Sequence, residues 1–256
     1  MYSSVLKRDR VLILFTVIGV ALFAWLYLFR EAWAMRQIGS AIVRCCIPRC
    51  QVWGARDFFA IFIMWAIMMV AMMLPTMIPM ALTFAFVNRK RKEREDPFVP
   101  TWIFVAGYLV IWTLFSVLAT ALQWFLHNRA LVSPAMVSAS PLFNGLLLIL
   151  AGVFQFTPFK NACLSHCRTP FNFIMSDWRE GQWGALGMGL RHGFFCAGCC
   201  WVLMLLLFVL GVMNLWWIAV LSVFVLLEKM APATFRLSAI SGGLLIGWGI
   251  IFLVGV

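Results

Sequence analysis

Two patches of soft donors lie close together in this 256-residue chain: Cys163, His166 and Cys167, then His192, Cys196, Cys199 and Cys200. Thiolate sulfur and imidazole nitrogen are the donors preferred by soft and borderline metal ions. On a helix, residues at i, i+4 and i+7 share a face. His192, Cys196 and Cys199 have that spacing. Cys200 follows Cys199 directly, about 100° round the helix, at the edge of the same arc. If 163–167 is helical, Cys163, His166 and Cys167 also share a face. Two such faces in contact would gather up to seven donors. Four complete a tetrahedral site, and the softer Cu(I) needs only two or three thiolates.

A single Cys in an apolar helix is usually a small core residue. Gly193, Ala197 and Gly198 would also let helices pack closely at this point. Five Cys and two His within 38 residues are nevertheless too concentrated for packing alone. Their spacing matches no zinc-finger pattern. Arg168 and Arg191 flank the patches, where a positive charge favours thiolate. Cys45, Cys46 and Cys50 form a third group, open either to a disulfide or to an external metal site.

Seven of the 15 methionines fall between residues 64 and 80. Met64, Met68 and Met72 form one column at helical spacing. Met69, Met73 and Met77 form a second, with Met80 near it. Thioethers bind Cu(I) weakly, and stacked weak sites suit an ion that must move. Methionine is equally an ordinary filler of helix cores. Pro75 and Pro79 free backbone carbonyls beside these columns and predict a kink.

The elements carrying these residues follow from composition. The chain is 64% hydrophobic and 11% charged, against about 25% charged in a soluble domain. That excludes a water-soluble enzyme, a disordered chain and a secreted disulfide scaffold. The expected fold class is all-α: a polytopic transmembrane helical bundle forming one membrane domain over 1–256, with no separate soluble domain. Apolar segments long enough to cross a bilayer are placed at 11–29, 58–87, 98–126, 142–159, 186–212, 214–232 and 237–254. With seven spans and the N-terminus in the cytoplasm, fourteen of the twenty basic residues face the cytoplasm, Lys160 and Lys229 among them. Arg30, Arg36, Arg44, Arg49 and Arg56 fall in the first outer loop as exceptions. The net charge of +11 thus reflects topology, and nucleic acid is not expected as a partner. Glu228 is the acid expected within a span, facing a partner or a cavity. Lys229 is expected to snorkel to the headgroups. Gln155 and Asn214 are expected to hydrogen-bond between helices.

Several strings together resemble a bacterial membrane family. They are Trp65 to Pro75, Gln155 to Arg168, Gly189 to Gly193, Cys196 to Trp201, and Gly211 to Leu215 with Glu228 and Lys229. The chain is similar over roughly residues 55–254 to domain of unknown function 2182, described as predicted metal-binding integral membrane proteins. The resemblance implies metal binding; the expected location is the bacterial inner membrane.

The reading that follows is soft-metal handling, with copper, as Cu(I), or zinc as the ion. The ligands are drawn from Cys163, His166, Cys167, His192, Cys196, Cys199 and Cys200. Met68, Met69, Met72, Met73, Met77 and Glu228 form a secondary path. The bilayer and the ion are the expected partners, with a metal-receiving enzyme or other membrane subunits beyond them. The absence of a nucleotide-binding motif argues against an ATP-driven pump in this chain alone, and the chain reads as a store, transporter or deliverer more than as an enzyme. The alternatives are a thiol–disulfide electron relay between the two cysteine patches, and a metal-dependent or structural subunit of a membrane complex.

Overall fold

The computed structural model of the chain describes residues 2–45, 54–92, 98–129, 140–231 and 236–254. Among them every regular element is helical and there is no strand. In chain order these are α1 (Tyr2–Cys45), α2 (Ala55–Met73), a 3₁₀ turn (Pro75–Met77), α3 (Ile78–Lys92), α4 (Thr101–Asn128) and α5 (Pro141–Gln155). Then come α6 (Pro158–Arg168), α7 (Pro170–Ser176), α8 (Gly181–Leu205), α9 (Leu207–Leu210), α10 (Leu215–Met230) and α11 (Leu237–Val254).

Among the described residues five stretches are long and apolar enough to cross a membrane: Arg10–Ala34, Ala55–Arg91, Thr101–Asn128, Gly181–Leu210 and Leu237–Val254. A sixth arises if α5 and α6, bent by 62°, count as one broken span. α10 has 16 residues, about 24 Å of helix and short of the roughly 30 Å hydrocarbon layer. Arg30, Arg36 and Arg44 do not open a loop, since α1 continues through them to Cys45. Cys46 and Cys50 lie outside the described residues. Side chains such as Phe15, Phe23, Trp183 and Leu244 stand largely exposed on the outer surface, which fits hydrocarbon better than water.

Proline sets the breaks. Pro75 interrupts the second stretch with a single 3₁₀ turn, because proline lacks the N–H of the α-helical ladder. Pro158 disfavours helical geometry at Thr157, whose ψ is 143°. Thr157 then caps α6 by accepting from the Lys160 N–H at 3.3 Å. The result is a short helix, α6, that leaves the axis of α5 and packs on α8 and α10.

α4 and α8 make the closest helix pair at the site. A Cβ on Gly189 would collide with the Phe104 carbonyl, and one on Gly107 with the Leu186 carbonyl. α5 and α11 approach in the same way at Gly145 and Gly249, and at Gly152 and Gly242. Small residues permit this in a setting where apolar side chains gain little by hiding from lipid.

Candidate metal centre

α8 presents Cys196, Cys199 and Cys200 to the interior, where none has any exposed surface. The Cys199 and Cys200 thiols turn back on their own helix and donate to the Cys196 carbonyl at 3.1 and 2.9 Å. α6 is helical across 163–167, which meets the condition for Cys163, His166 and Cys167 to share a face, and it lies against α8. The Cys163 sulfur is 2.9 Å from where a Cβ on Gly198 would stand. Cys167 is within side-chain interaction range of Cys196 and Cys199, as is Cys200. The two cysteine patches therefore meet. All five cysteines are free thiols. As placed, no three His, Cys, Asp or Glu side chains among the described residues form a group able to hold a metal ion.

The two histidines diverge. His166 stacks on Phe195 with centroids 4.1 Å apart, and its Nδ1 lies 2.8 Å from the Ala162 carbonyl. These contacts tie its ring to Phe195 of α8 and to the backbone of its own helix. His192 is buried beside the rings of Tyr108, 5.4 Å away, and Phe104, 6.2 Å away. It stands one helical turn before Cys196.

Two further residues sit against the Cys196 sulfur, Tyr108, which gave no signal in the sequence, and Lys229, whose position there was not expected. The Tyr108 hydroxyl is 3.1 Å from that sulfur. The Lys229 ammonium donates to it at 2.9 Å and to the Thr76 hydroxyl at 3.0 Å. Lys229 therefore does not snorkel, and it is not a cytoplasmic charge. Its buried position is explained by these two acceptors, since a buried ammonium needs partners. Tyr108 also donates to the Met73 carbonyl at 3.0 Å, and Thr76 does so at 2.8 Å. The 3₁₀ turn leaves that carbonyl free to accept, because the Met77 N–H bonds the Leu74 carbonyl instead. In this way the end of the methionine helix is tied to the thiol site. Met68, Met69, Met72, Met73, Met77 and Met80 are all buried, so both columns face the core rather than lipid.

Glu228 has the partner its position demanded. Lys160 donates to it at 2.6 Å with both side chains buried, and also donates to Gln155. Ser238 donates to the same carboxylate oxygen at 2.6 Å. Lys160, like Lys229, was expected in the cytoplasm and is instead inside the bundle. Arg168 donates twice to the Glu228 carbonyl, at 2.9 and 2.8 Å. Arg191 pairs with Asp177 at 2.5 Å. Both guanidinium groups thus have oxygen partners, and the cation at the thiols is Lys229. Asn214 bridges no helices but caps α10, accepting from the Trp216 N–H at 3.2 Å.

Soft donors from α6 and α8 thus lie beside a methionine-lined helix. A family model described as PpoB2, copper chaperone, matches residues 62–252. The chain belongs to the PpoB2 copper chaperone family. No curated protein and no solved structure matches it. The matched region contains α6, α8, α10 and all seven methionines between residues 64 and 80. Membership in the PpoB2 family points to copper as the cargo; the match lends zinc no such support.

Proposed function

We propose that this protein holds copper inside a membrane on the thiols of Cys167, Cys196, Cys199 and Cys200 and releases it to a receiving protein. The convergence of two sequence-separated thiol patches on one buried point carries this reading. Cys163 stands at the edge of the group. The family membership supports copper, and the apolar helices support a bilayer, read here as the bacterial inner membrane with the N-terminus in the cytoplasm.

The thiols are close but not set as a coordination shell. Cys199 and Cys200 must rotate off the Cys196 carbonyl, each giving up one weak S–H···O bond. The Lys229 ammonium competes with a copper cation for the Cys196 sulfur. Both features lower retention, which suits a carrier better than a permanent cofactor site. The buried methionines of α2 and the 3₁₀ turn offer weaker thioether sites beside the thiols.

Elemental analysis of the full chain in mild detergent under reducing conditions tests the reading. The comparison is a variant with Cys167, Cys196 and Cys199 changed to Ser. Copper near one ion per chain, lost in the variant, is expected. The absence of copper from both proteins after anaerobic loading would sink the proposal. The thiol–disulfide relay is the second reading, favoured by the contact of Cys167 with Cys196 and Cys199. It predicts instead a metal-independent gel shift on oxidation, abolished by Cys167→Ser.

A further inference from the structure

α8 begins at a small recess lined by Phe84, Asn88, Val99, Trp178, Glu180 and Ala185. Arg91 also lines it. Its guanidinium donates to Glu180 at 2.6 Å and lies 5.1 Å over the Trp178 ring. From this recess one buried face of α8 carries Ala185, Met188, His192, Cys196 and Cys200 at spacings of three and four, each no more than 3% exposed. At a rise of about 1.5 Å per residue, Cys196 lies about 16 Å along the helix from Ala185. The donors on that face change from thioether to imidazole to thiol in the order an incoming ion would meet them.

A row of rings accompanies the face. Trp178 stacks on Phe84 at 5.7 Å, Phe84 on Phe104 at 4.8 Å, Phe104 on His192 at 6.2 Å, and His192 on Tyr108 at 5.4 Å. The last ring places its hydroxyl against Cys196. Aromatic faces attract cations through their quadrupole. His192 Nδ1 and Trp178 Nε1 are both buried with no hydrogen-bond partner among the described residues. Folding does not favour an unpaired buried polar atom, so His192 keeps a donor position for which its neighbours supply no use.

We propose that this face of α8 is the route by which copper passes between the thiols and the side of the membrane where α8 begins. His192 is an intermediate ligand on it, and Trp178 with the Arg91–Glu180 pair closes its mouth. Transfer is ligand exchange: a copper–nitrogen bond to His192 forms as a copper–sulfur bond to Cys196 breaks. The charge of the ion is unchanged and no electron moves. The role of His192 rests on the copper reading of the thiols, whereas the mouth can be tested without copper.

The full chain in detergent is exposed to a charged methanethiosulfonate, and modification of each cysteine is followed by peptide mass spectrometry. Trp178→Ala and Glu180→Gln should each speed modification of Cys196 about tenfold, equal to about 1.4 kcal/mol of closure. Glu180 is exposed, so that variant tests the mouth even if loss of Trp178 disturbs folding. Unchanged rates in the folded variants overturn the mouth. In copper-loaded protein, His192→Leu should leave copper per chain unchanged and slow its transfer to a soluble chelator by about tenfold, the same energy at the exchange step. Loss of bound copper in that variant would make His192 a resident ligand and overturn its transit role, as would an unchanged transfer rate. If the native chain takes up no copper, the function proposed above fails, while the labelling rates still decide the mouth.

Discussion

Lys160 and Glu228 face each other at 2.6 Å with almost no exposed surface, and neither could remain charged there alone. Removing one partner of such a pair leaves an uncompensated buried charge, whereas replacing both by apolar groups is often nearly neutral. Lys160→Met should therefore cost about 3–5 kcal/mol of stability, and Lys160→Met with Glu228→Leu should recover most of it. Denaturant titration of the four proteins of the cycle in detergent checks this; equal losses in single and double variants would contradict it. Glu228 was legible in the sequence as an acid in an apolar run. Its neighbour was misread, because lysine near the end of a short apolar segment has two physical outcomes. It reaches the headgroups, or it finds buried acceptors. Only tertiary contact with Thr76 and Cys196 decides between them. Tyr108 gave no signal at all, since a tyrosine in an apolar helix is ordinary until its hydroxyl has a partner.

The pairing of α4 with α8 is set at Gly107 and Gly189, where neither helix leaves room for a side chain. This crossing holds Phe104 and Tyr108 on one helix against His192 and Cys196 on the other. Gly189→Ala should force the helices apart at an overpacking cost of about 1–3 kcal/mol. The thermal midpoint should fall, and Cys196 should become more reactive to alkylation because its Tyr108 contact is loosened. Gly187→Ala is the control on the same helix, since its Cβ would meet nothing within 4 Å. Equal effects of the two substitutions would refute a role for the crossing. The helix over 163–167 was only a condition that the structure meets, while the break at Pro75 could be read from proline chemistry. The 62° bend that lays α6 against α8 could not, because Pro158 marks where a helix restarts but not its direction. The continuation of α1 past Arg30 was also hidden, since five arginines look like a loop when helix propensity is not weighed against charge.

At the scale of the molecule, the thiol group is enclosed by α4, α6, α8, α10 and the Pro75–Met77 turn, so an ion bound there would link elements far apart in sequence. Ligand that binds only the folded chain stabilises it by about 2.7 kcal/mol at a hundredfold excess over Kd. Copper should therefore raise the thermal midpoint of the full chain, and Cys167→Ser with Cys196→Ser should abolish the rise; a rise that survives the substitutions would place the ion elsewhere. The all-helical class and the soft-donor chemistry were plain from composition and from cysteine spacing. The convergence of the two patches was only conditional, because it depends on a bend and on buried charges that no local pattern encodes. Those charges also constrain how the chain is made. Lys160 precedes Glu228 by 68 residues, which at 5–20 residues per second is about 3–14 s of synthesis. During that interval α6 carries an ammonium with no carboxylate to neutralise it, and it cannot settle in an apolar interior. Its stable docking should therefore wait for α10, and the cysteines of α6 should join those of α8 only once Glu228 has been made.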